Sequence, residues 1–195
     1  MLKIKIILGS VREGRFGDKP AQWIFEKAKA HGGLDVELLD LKDYPLPLFA
    51  EPQVPAMVNG NYPNETAQKW AAKIGEADGF IFVTPEYNHG YSSVLKNAID
   101  FIFGEWNRKP AAFVGYGVNG GVRAIEQLKV VVNSNLRMHP VAMGVNMNNP
   151  WQFVNDKGEF DASSFEKAGD VMLDELAWLG DALKSAREKD SAAGK

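Results

Sequence analysis

Residues Gly79–Thr84, GFIFVT, form an apolar run with no charge and no alternation in it. Such a run suits a strand buried on both faces, as in the middle of a parallel sheet. Ala111–Tyr116 has the same character. Strands of this kind oblige the remaining chain to cover both sides of a sheet, and the pattern supplies the covers. Lys3–Leu8, the alternating Leu34–Leu41 and Met138–Val145 read as further strands. Helical spacing occupies Gly17–His31, which stops at Gly32–Gly33, then Glu65–Glu76, Ser92–Phe103, Gly121–Leu136 and Phe165–Leu183. In Ser92–Phe103, Val94, Leu95, Ala98, Ile99 and Ile102 fall on one helical face. Strands and helices in alternation predict an α/β fold: a doubly wound, five-stranded parallel sheet with helices on both faces.

At 195 residues the chain suits one domain. Residues 1–184 are read as that domain and 185–195 as a polar tail that frays. Lys42–Asn64 interrupts the alternation with five prolines and no periodicity, and a loop of that length in a compact domain is usually functional or mobile. The formal net charge of -3 argues against nucleic acid as a partner. The absence of cysteine excludes disulfides, thiolate nucleophiles and cysteine-based metal sites. No stretch approaches the roughly 18 apolar residues that span a bilayer, and Met1–Leu8 is too short for a signal peptide's apolar region. The expectation is a cytoplasmic protein without membrane insertion.

Ligands of such sheets bind beyond the carboxyl ends of the strands, which singles out three loops. The first, Gly9-Ser10-Val11-Arg12-Glu13-Gly14-Arg15-Phe16-Gly17, has glycines that let backbone N–H groups approach an anion, at the positive end of the helix that follows. Ser10 adds a hydroxyl, and Arg12 and Arg15 offer bidentate donors. No Walker A pattern is present. The second, Thr84–Ser92, reads TPEYNHGYS. Its two tyrosines, its proline and Gly90 make a wall for a flat ring, while Ser92 or Ser93 caps the next helix. Glu86 reads equally as an acceptor of backbone N–H bonds, and His89 as a loop histidine bonded to its own backbone. The third, Gly115–Arg123, contains a formal GxGxxG. It stands too late in the chain for a dinucleotide fingerprint, and the next strand ends without an acid. Bare backbone packed against a planar ligand explains these glycines better. The three histidines lack metal-ligand spacing, no GxSxG elbow is present, and no catalytic side chain stands out.

With these loops the chain resembles the NADPH-dependent FMN reductase family, which has a flavodoxin-like fold and includes quinone, chromate and azo reductases. The resemblance runs from about Leu2 to Leu183, and Thr84–Phe101, TPEYNHGYSSVLKNAIDF, carries most of it. It implies FMN as cofactor and NADPH or NADH as electron donor. It further implies an FMN phosphate held by Ser10, Arg12 and the Arg15, Phe16, Gly17 segment. Family members often carry Ser and Asn where this chain has Arg15 and Gly17, and an arginine can replace a hydroxyl as phosphate donor. The ring is implied to sit against Pro85, Glu86, Tyr87, Asn88 and Gly90, with Gly117, Asn119 and Gly120 at its other edge. A homodimer or homotetramer is implied, acting on a small-molecule electron acceptor.

The activity so implied is a two-electron reduction of flavin, quinone, azo or similar acceptors, whose chemistry belongs to the cofactor. The alternative is a flavodoxin-type electron carrier without NAD(P)H turnover of its own. Carriers have a Ser/Thr-rich phosphate loop and strong acidity, and this chain has neither. A flavin-free receiver-type domain would need an acidic cluster at the end of strand one, where this chain has Gly9-Ser10. The Tyr44–Pro63 loop has two readings, a wall of the acceptor pocket and a plain surface excursion.

Overall fold

A computed structural model describes residues 1–194. Its parallel sheet comprises β1 (Leu2–Leu8), β2 (Leu34–Asp40), β3 (Gly79–Pro85), β4 (Pro110–Gly117), β5 (His139–Pro140) and β6 (Val145–Asn148). The order is β2-β1-β3-β4-β5, with β6 also paired to β4. This is the flavodoxin-like doubly wound arrangement. Every residue of β3 is buried, which is why its sequence is apolar without alternation.

Five helices cover the sheet: α1 (Asp18–Ala30), α2 (Glu65–Gly75), α3 (Ser93–Asp100), α4 (Val122–Asn133) and α5 (Glu166–Ala192). α2, α3 and α4 bury Trp70, Ile74, Leu95, Ile99 and Leu128 against one face. α1 and α5 bury Ile24, Met172, Leu173 and Leu176 against the other. Caps set several of the helix starts. Asn64 Oδ1 accepts from Ala67 N–H (3.0 Å) and Ser92 Oγ from Leu95 N–H (3.3 Å). Two lysines are buried with the sheet, each with partners. Lys5 on β1 meets Glu37 and Glu76 (2.8 Å to the latter). Lys109 donates to the Ile74 and Gly75 carbonyls at the end of α2, at 3.0 and 3.2 Å. Burial pulls the Lys109 ammonium down to about 8.

The fifth strand is not the single run expected over Met138–Val145. His139 and Pro140 pair with Pro110 and Ala111, whereas Val145–Asn148 pair with Val114–Gly117, so the register slips by two residues between them. Pro140 has no N–H for a ladder bond and sits where the edge tolerates it. The slip sets β6 back by two residues along β4, so that its end draws level with the end of β4 and Asn149 N–H donates to the Gly117 carbonyl (2.9 Å).

The tail expected to fray is instead the last part of α5, which runs to Ala192; Lys195 lies outside the described residues. The helix is extended by charge, a signal that apolar periodicity does not register. Asp78, just before β3, accepts from Lys184 Nζ (2.8 Å), Arg187 Nη2 (2.9 Å) and Lys3 N–H (3.0 Å). Arg187 also donates to the Arg108 carbonyl (2.7 Å) and Arg108 pairs with Asp190.

The Lys42–Asn64 segment packs onto the α2–α3 face. Tyr44, Leu46, Phe49 and Val58 pack against the core cluster there. Asn97 on α3 stitches it down, accepting from Phe49 N–H (2.9 Å) and donating to the Pro47 carbonyl (2.7 Å). Buried Tyr62 donates to Glu105 (2.7 Å) and accepts from Phe103 N–H (3.0 Å). No helix among the described residues is long and apolar enough to cross a membrane.

Asp78 ties β1, β3 and α5 together at one carboxylate. Burial would raise its pKa, but Lys184 and the Lys3 N–H outweigh burial and hold it below the usual carboxylate range. Its contribution is therefore complete above the unfolded carboxylate value and lost as pH falls through the lowered native one. Asp78→Asn is expected to destabilise by about 1–3 kcal/mol at neutral pH, roughly 2–4 °C of Tm for each kcal/mol. The gap to the unmodified protein should narrow as pH falls below the unfolded carboxylate value and close only once the lowered native carboxyl is protonated, as thermal melts across pH will show.

Candidate functional site

At the carboxyl edge of the sheet, the loops after β1, β3, β4 and β6 surround a cleft of about 440 Å³ lined by Arg12, Gly14, Arg15, Phe16, Pro85, Glu86, Tyr87, Tyr116, Gly117, Val118 and Trp151. Seven of those residue positions belong to the set marked from the sequence, namely Arg12, Arg15, Phe16, Pro85, Glu86, Tyr87 and Gly117. Ser10, Gly17, Asn88, Gly90, Asn119 and Gly120 lie in the same loops without lining the cleft.

The β1 loop is built to leave backbone donors unused. Among the described residues the N–H groups of Val11, Glu13, Gly14, Phe16 and Gly17 make no hydrogen bond within the protein. They lead directly into α1, whose N-terminus has no side-chain cap. Unpaired N–H groups at a helix N-terminus are the donor set that a phosphate uses. Gly17 is required by close approach: a Cβ there would come within 2.4 Å of the Tyr116 hydroxyl. Ser10 is buried, at 1% exposure, and its hydroxyl faces the Tyr87 hydroxyl at 3.2 Å. Ser92 donates to the Gly9 carbonyl, so the first and second loops are fastened together.

The two arginines of this loop part company. Arg12 is exposed, with its guanidinium 5.9 Å from the Tyr87 ring centroid. Arg15, expected to reach a phosphate, is turned inward. Its Nε and Nη2 donate to Asp18 Oδ1 (2.9 and 2.7 Å), and Nη1 donates to Asp40 Oδ1 (2.7 Å) and to the Ser10 carbonyl. Nη2 also donates to Asp40 Oδ2. A guanidinium has five N–H donors, and these bonds occupy all of them. Burial would raise the Asp40 carboxyl, but Arg15 outweighs it and holds it below the ordinary range.

The β3 loop turns sharply. Tyr87 and Gly90 exchange N–H···O bonds of 2.8 and 3.0 Å. Asn88 and His89 between them have φ of 49° and 72°, a conformation uncommon for non-glycine residues and concentrated at functional sites. Gln127 on α4 donates to the His89 carbonyl (2.9 Å). The Tyr87 ring remains 37% exposed at the cleft. Glu86, expected at a ring, has its carboxylate committed elsewhere: it accepts from Arg123 N–H (3.1 Å) and Arg123 Nη1 (2.7 Å) at the start of α4. Its own N–H donates to the Tyr116 carbonyl (3.1 Å).

In the β4 loop, Gly120 lies against β6 and Asn119 meets the start of α4. Asn146 Nδ2 donates to the Gly120 carbonyl (3.1 Å), and Val122 N–H to the Asn119 carbonyl (3.4 Å). Gly121 has φ of +69°, and a Cβ there would lie 2.6 Å from Tyr116 N. Burial pushes the Tyr116 hydroxyl up, so it stays protonated. Sequence reasoning missed Gly14, Tyr116, Val118 and Trp151 as lining residues. Trp151, 48% exposed, stands three residues beyond β6. The loop after the fifth strand must open on the same edge as the others, which is the signal that could have found it. Among the described residues no group of His, Cys, Asp or Glu side chains is placed to hold a metal ion.

Fold and cleft together define a flavodoxin-like domain with a loop of unpaired backbone donors beside a slot walled by aromatics. The model for NADPH-dependent FMN reductases matches residues 2–152, and the chain belongs to that family. It is 46% identical over 129 residues to an NAD(P)H-dependent FMN reductase of Schizosaccharomyces pombe, covering 66% of this chain and 64% of that one. That alignment therefore spans just under two thirds of the relative. An NAD(P)H-dependent FMN reductase from a Nectria species is 35% identical and is matched across 96% of this chain and 100% of its own. Further relatives are named quinone reductases. Among solved structures, FerB, a flavoenzyme NAD(P)H:(acceptor) oxidoreductase of Paracoccus denitrificans, superposes with a TM-score of 0.73 at 23% identity, covering 93% and 98% of the two chains. Family membership makes this chain an oxidoreductase with FMN as cofactor and NAD(P)H as electron donor. The unpaired donors of the β1 loop and the apolar slot beside them fit a ligand that is a phosphate at one end and a flat ring at the other.

Gly121→Ala combines a left-handed backbone with a backbone clash, and is expected to destabilise by about 2 kcal/mol or more. Thermal melts of the variant and of Gly32→Ala, which has open space around it, will separate clash from strain: only Gly121→Ala should exceed that figure.

Proposed function

We propose that this protein carries out NAD(P)H-dependent two-electron reduction of small planar acceptors such as quinones, free flavins or azo compounds, with the cleft at the carboxyl edge as its active site. The observation that carries this reading is the joining of two features in one cleft: the unpaired N–H groups and Arg12 of the β1 loop, and an apolar wall of Tyr87, Tyr116, Val118 and Trp151 beside them. Arg12 and the Val11–Gly17 backbone bind the phosphate. Tyr87 and the Gly117–Val118 backbone flank the ring, and Ser10 orients Tyr87 through their hydroxyls. Trp151 and Val118 shield the ring's surroundings from water. Bound FMN supplies hydride transfer, so the protein needs no acid of its own. That matches a cleft where Glu86 is committed to Arg123 and Tyr116 is held protonated.

An anaerobic titration of the FMN-reconstituted protein with NADPH tests this. Absorbance at the visible flavin maximum should bleach within the mixing time, and adding a benzoquinone should restore it. Bound FMN that NADPH leaves oxidised would favour the carrier reading.

We further read the chain as one functional domain, to which the last turns of α5 beyond residue 184 are tied through Arg187 and Asp190, and the protein as a cytoplasmic homodimer or homotetramer. Exposed Val54 on the 42–64 loop borders a cavity of about 590 Å³ that continues over Phe103, Val131 and Leu136, with exposed Met57 and Val130 nearby in sequence. Apolar surface of this kind supports self-association. Sedimentation equilibrium is expected to return at least twice the mass of one chain; a monomer at micromolar concentration would refute it.

A further inference from the structure

The charge balance around Arg15 points away from electrostatic capture. One guanidinium is flanked by two carboxylates, Asp18 and Asp40, so the cluster is formally negative and by itself repels a phosphate. Arg15 nevertheless lies with only 6% of its side chain exposed in a surface loop. Its partners come from three separate places: the loop's beginning at Ser10, the first turn of α1 at Asp18, and the last residue of β2 at Asp40. Asp40 is anchored in turn, since its Oδ1 also accepts from Lys42 N–H (2.9 Å). Between these fixed points run the residues whose N–H groups have no protein partner. Apart from a long bond from Arg12 N–H to Ser10 Oγ (3.5 Å), the packing of the Phe16 ring and the helix bonds accepted by the Phe16 and Gly17 carbonyls, little else holds the shape of this stretch, and a loop that must be ordered by its ligand binds less tightly than one already ordered.

We propose that Arg15 and Asp40 are positioning residues: their ion pair holds the Val11–Gly17 backbone donors in place, so affinity for the FMN phosphate depends on a pair that does not touch it. This inference rests on the reading of the β1 loop as the phosphate site. It makes a prediction whose sign electrostatics alone reverses. Asp40→Asn removes a negative charge near the phosphate, which by charge alone would tighten FMN binding; loss of the clamp weakens it.

Apoprotein of the full chain is titrated with FMN and with riboflavin, following the quenching of flavin fluorescence. The unmodified protein should prefer FMN. In Asp40→Asn the Kd for FMN should rise about tenfold and that for riboflavin by less than about twofold. Arg15→Lys keeps the charge but lacks the fork, and should lose the preference to the same degree. The double variant should be no worse than either single one, because the residues act as a unit. FMN binding that is unchanged or tighter in Asp40→Asn would overturn the clamp, as would equal weakening of both ligands, the mark of a general loss of structure. Should Asp40→Asn not fold, Arg15→Lys with its FMN preference intact would overturn it as well. An unmodified protein that binds riboflavin as tightly as FMN would instead sink the phosphate reading of the loop.

Discussion

A parallel sheet covered on both faces leaves almost no solvent along its central strands, and most of this molecule follows from that constraint. β3 is buried throughout and β4 nearly so, so a polar side chain on them must find a partner or be replaced. Thr84, the one hydroxyl within β3, donates to the Pro85 carbonyl (3.0 Å). Lys5 and Lys109 are tolerated because carboxylates or helix-end carbonyls meet their ammonium groups. Ligand chemistry is consequently confined to the carboxyl edge, where four loops and the N-termini of α1 and α4 converge.

At that edge, the side chains richest in hydrogen-bonding capacity serve the scaffold. Arg15 fastens β2, α1 and the first loop; Glu86 fastens the second loop to α4 through Arg123; Ser92 fastens the second loop to the first. The groups left over for a ligand are backbone N–H groups, one exposed arginine and several rings. This division has a physical basis. Backbone donors are fixed only as well as the chain that bears them, so a site made of backbone needs strong, multiply bonded side chains behind it. A rigid, planar guanidinium suits that task better than a flexible ammonium.

The alternation of strands and helices and the two-sided cover were legible because burial writes itself into apolar runs and helical spacing. So were the three loops, since a parallel sheet brings every carboxyl end to one side. Roles within a loop were not. Arg12 and Arg15 are three residues apart in the same glycine-rich stretch, and what separates them is Asp40, which arrives from a different strand. Glu86 was similarly ambiguous until Arg123 came to it from α4. The extent of α5 escaped for the same reason, its last turns being held by Asp78 and Asp190 across long separations in sequence. The break in the fifth strand was hidden because MHPVAMGV has the composition of one strand; only pairing with β4 reveals the slip.

That slip has a consequence for the chain's behaviour in crowded solution. The outer margin of the sheet beyond β4 is an exposed edge, and a long straight edge is a template onto which a strand from another molecule can add. Here β5 is two residues long and includes a proline without a donor, and β6 resumes out of step with it. An incoming strand that matched the first segment would be out of register with the second. At the opposite margin β2 carries Asp35 and Glu37, whose charges disfavour the same approach. The irregularity of the strand that leads to Trp151 thus guards a very hydrophobic sheet against edge-to-edge aggregation.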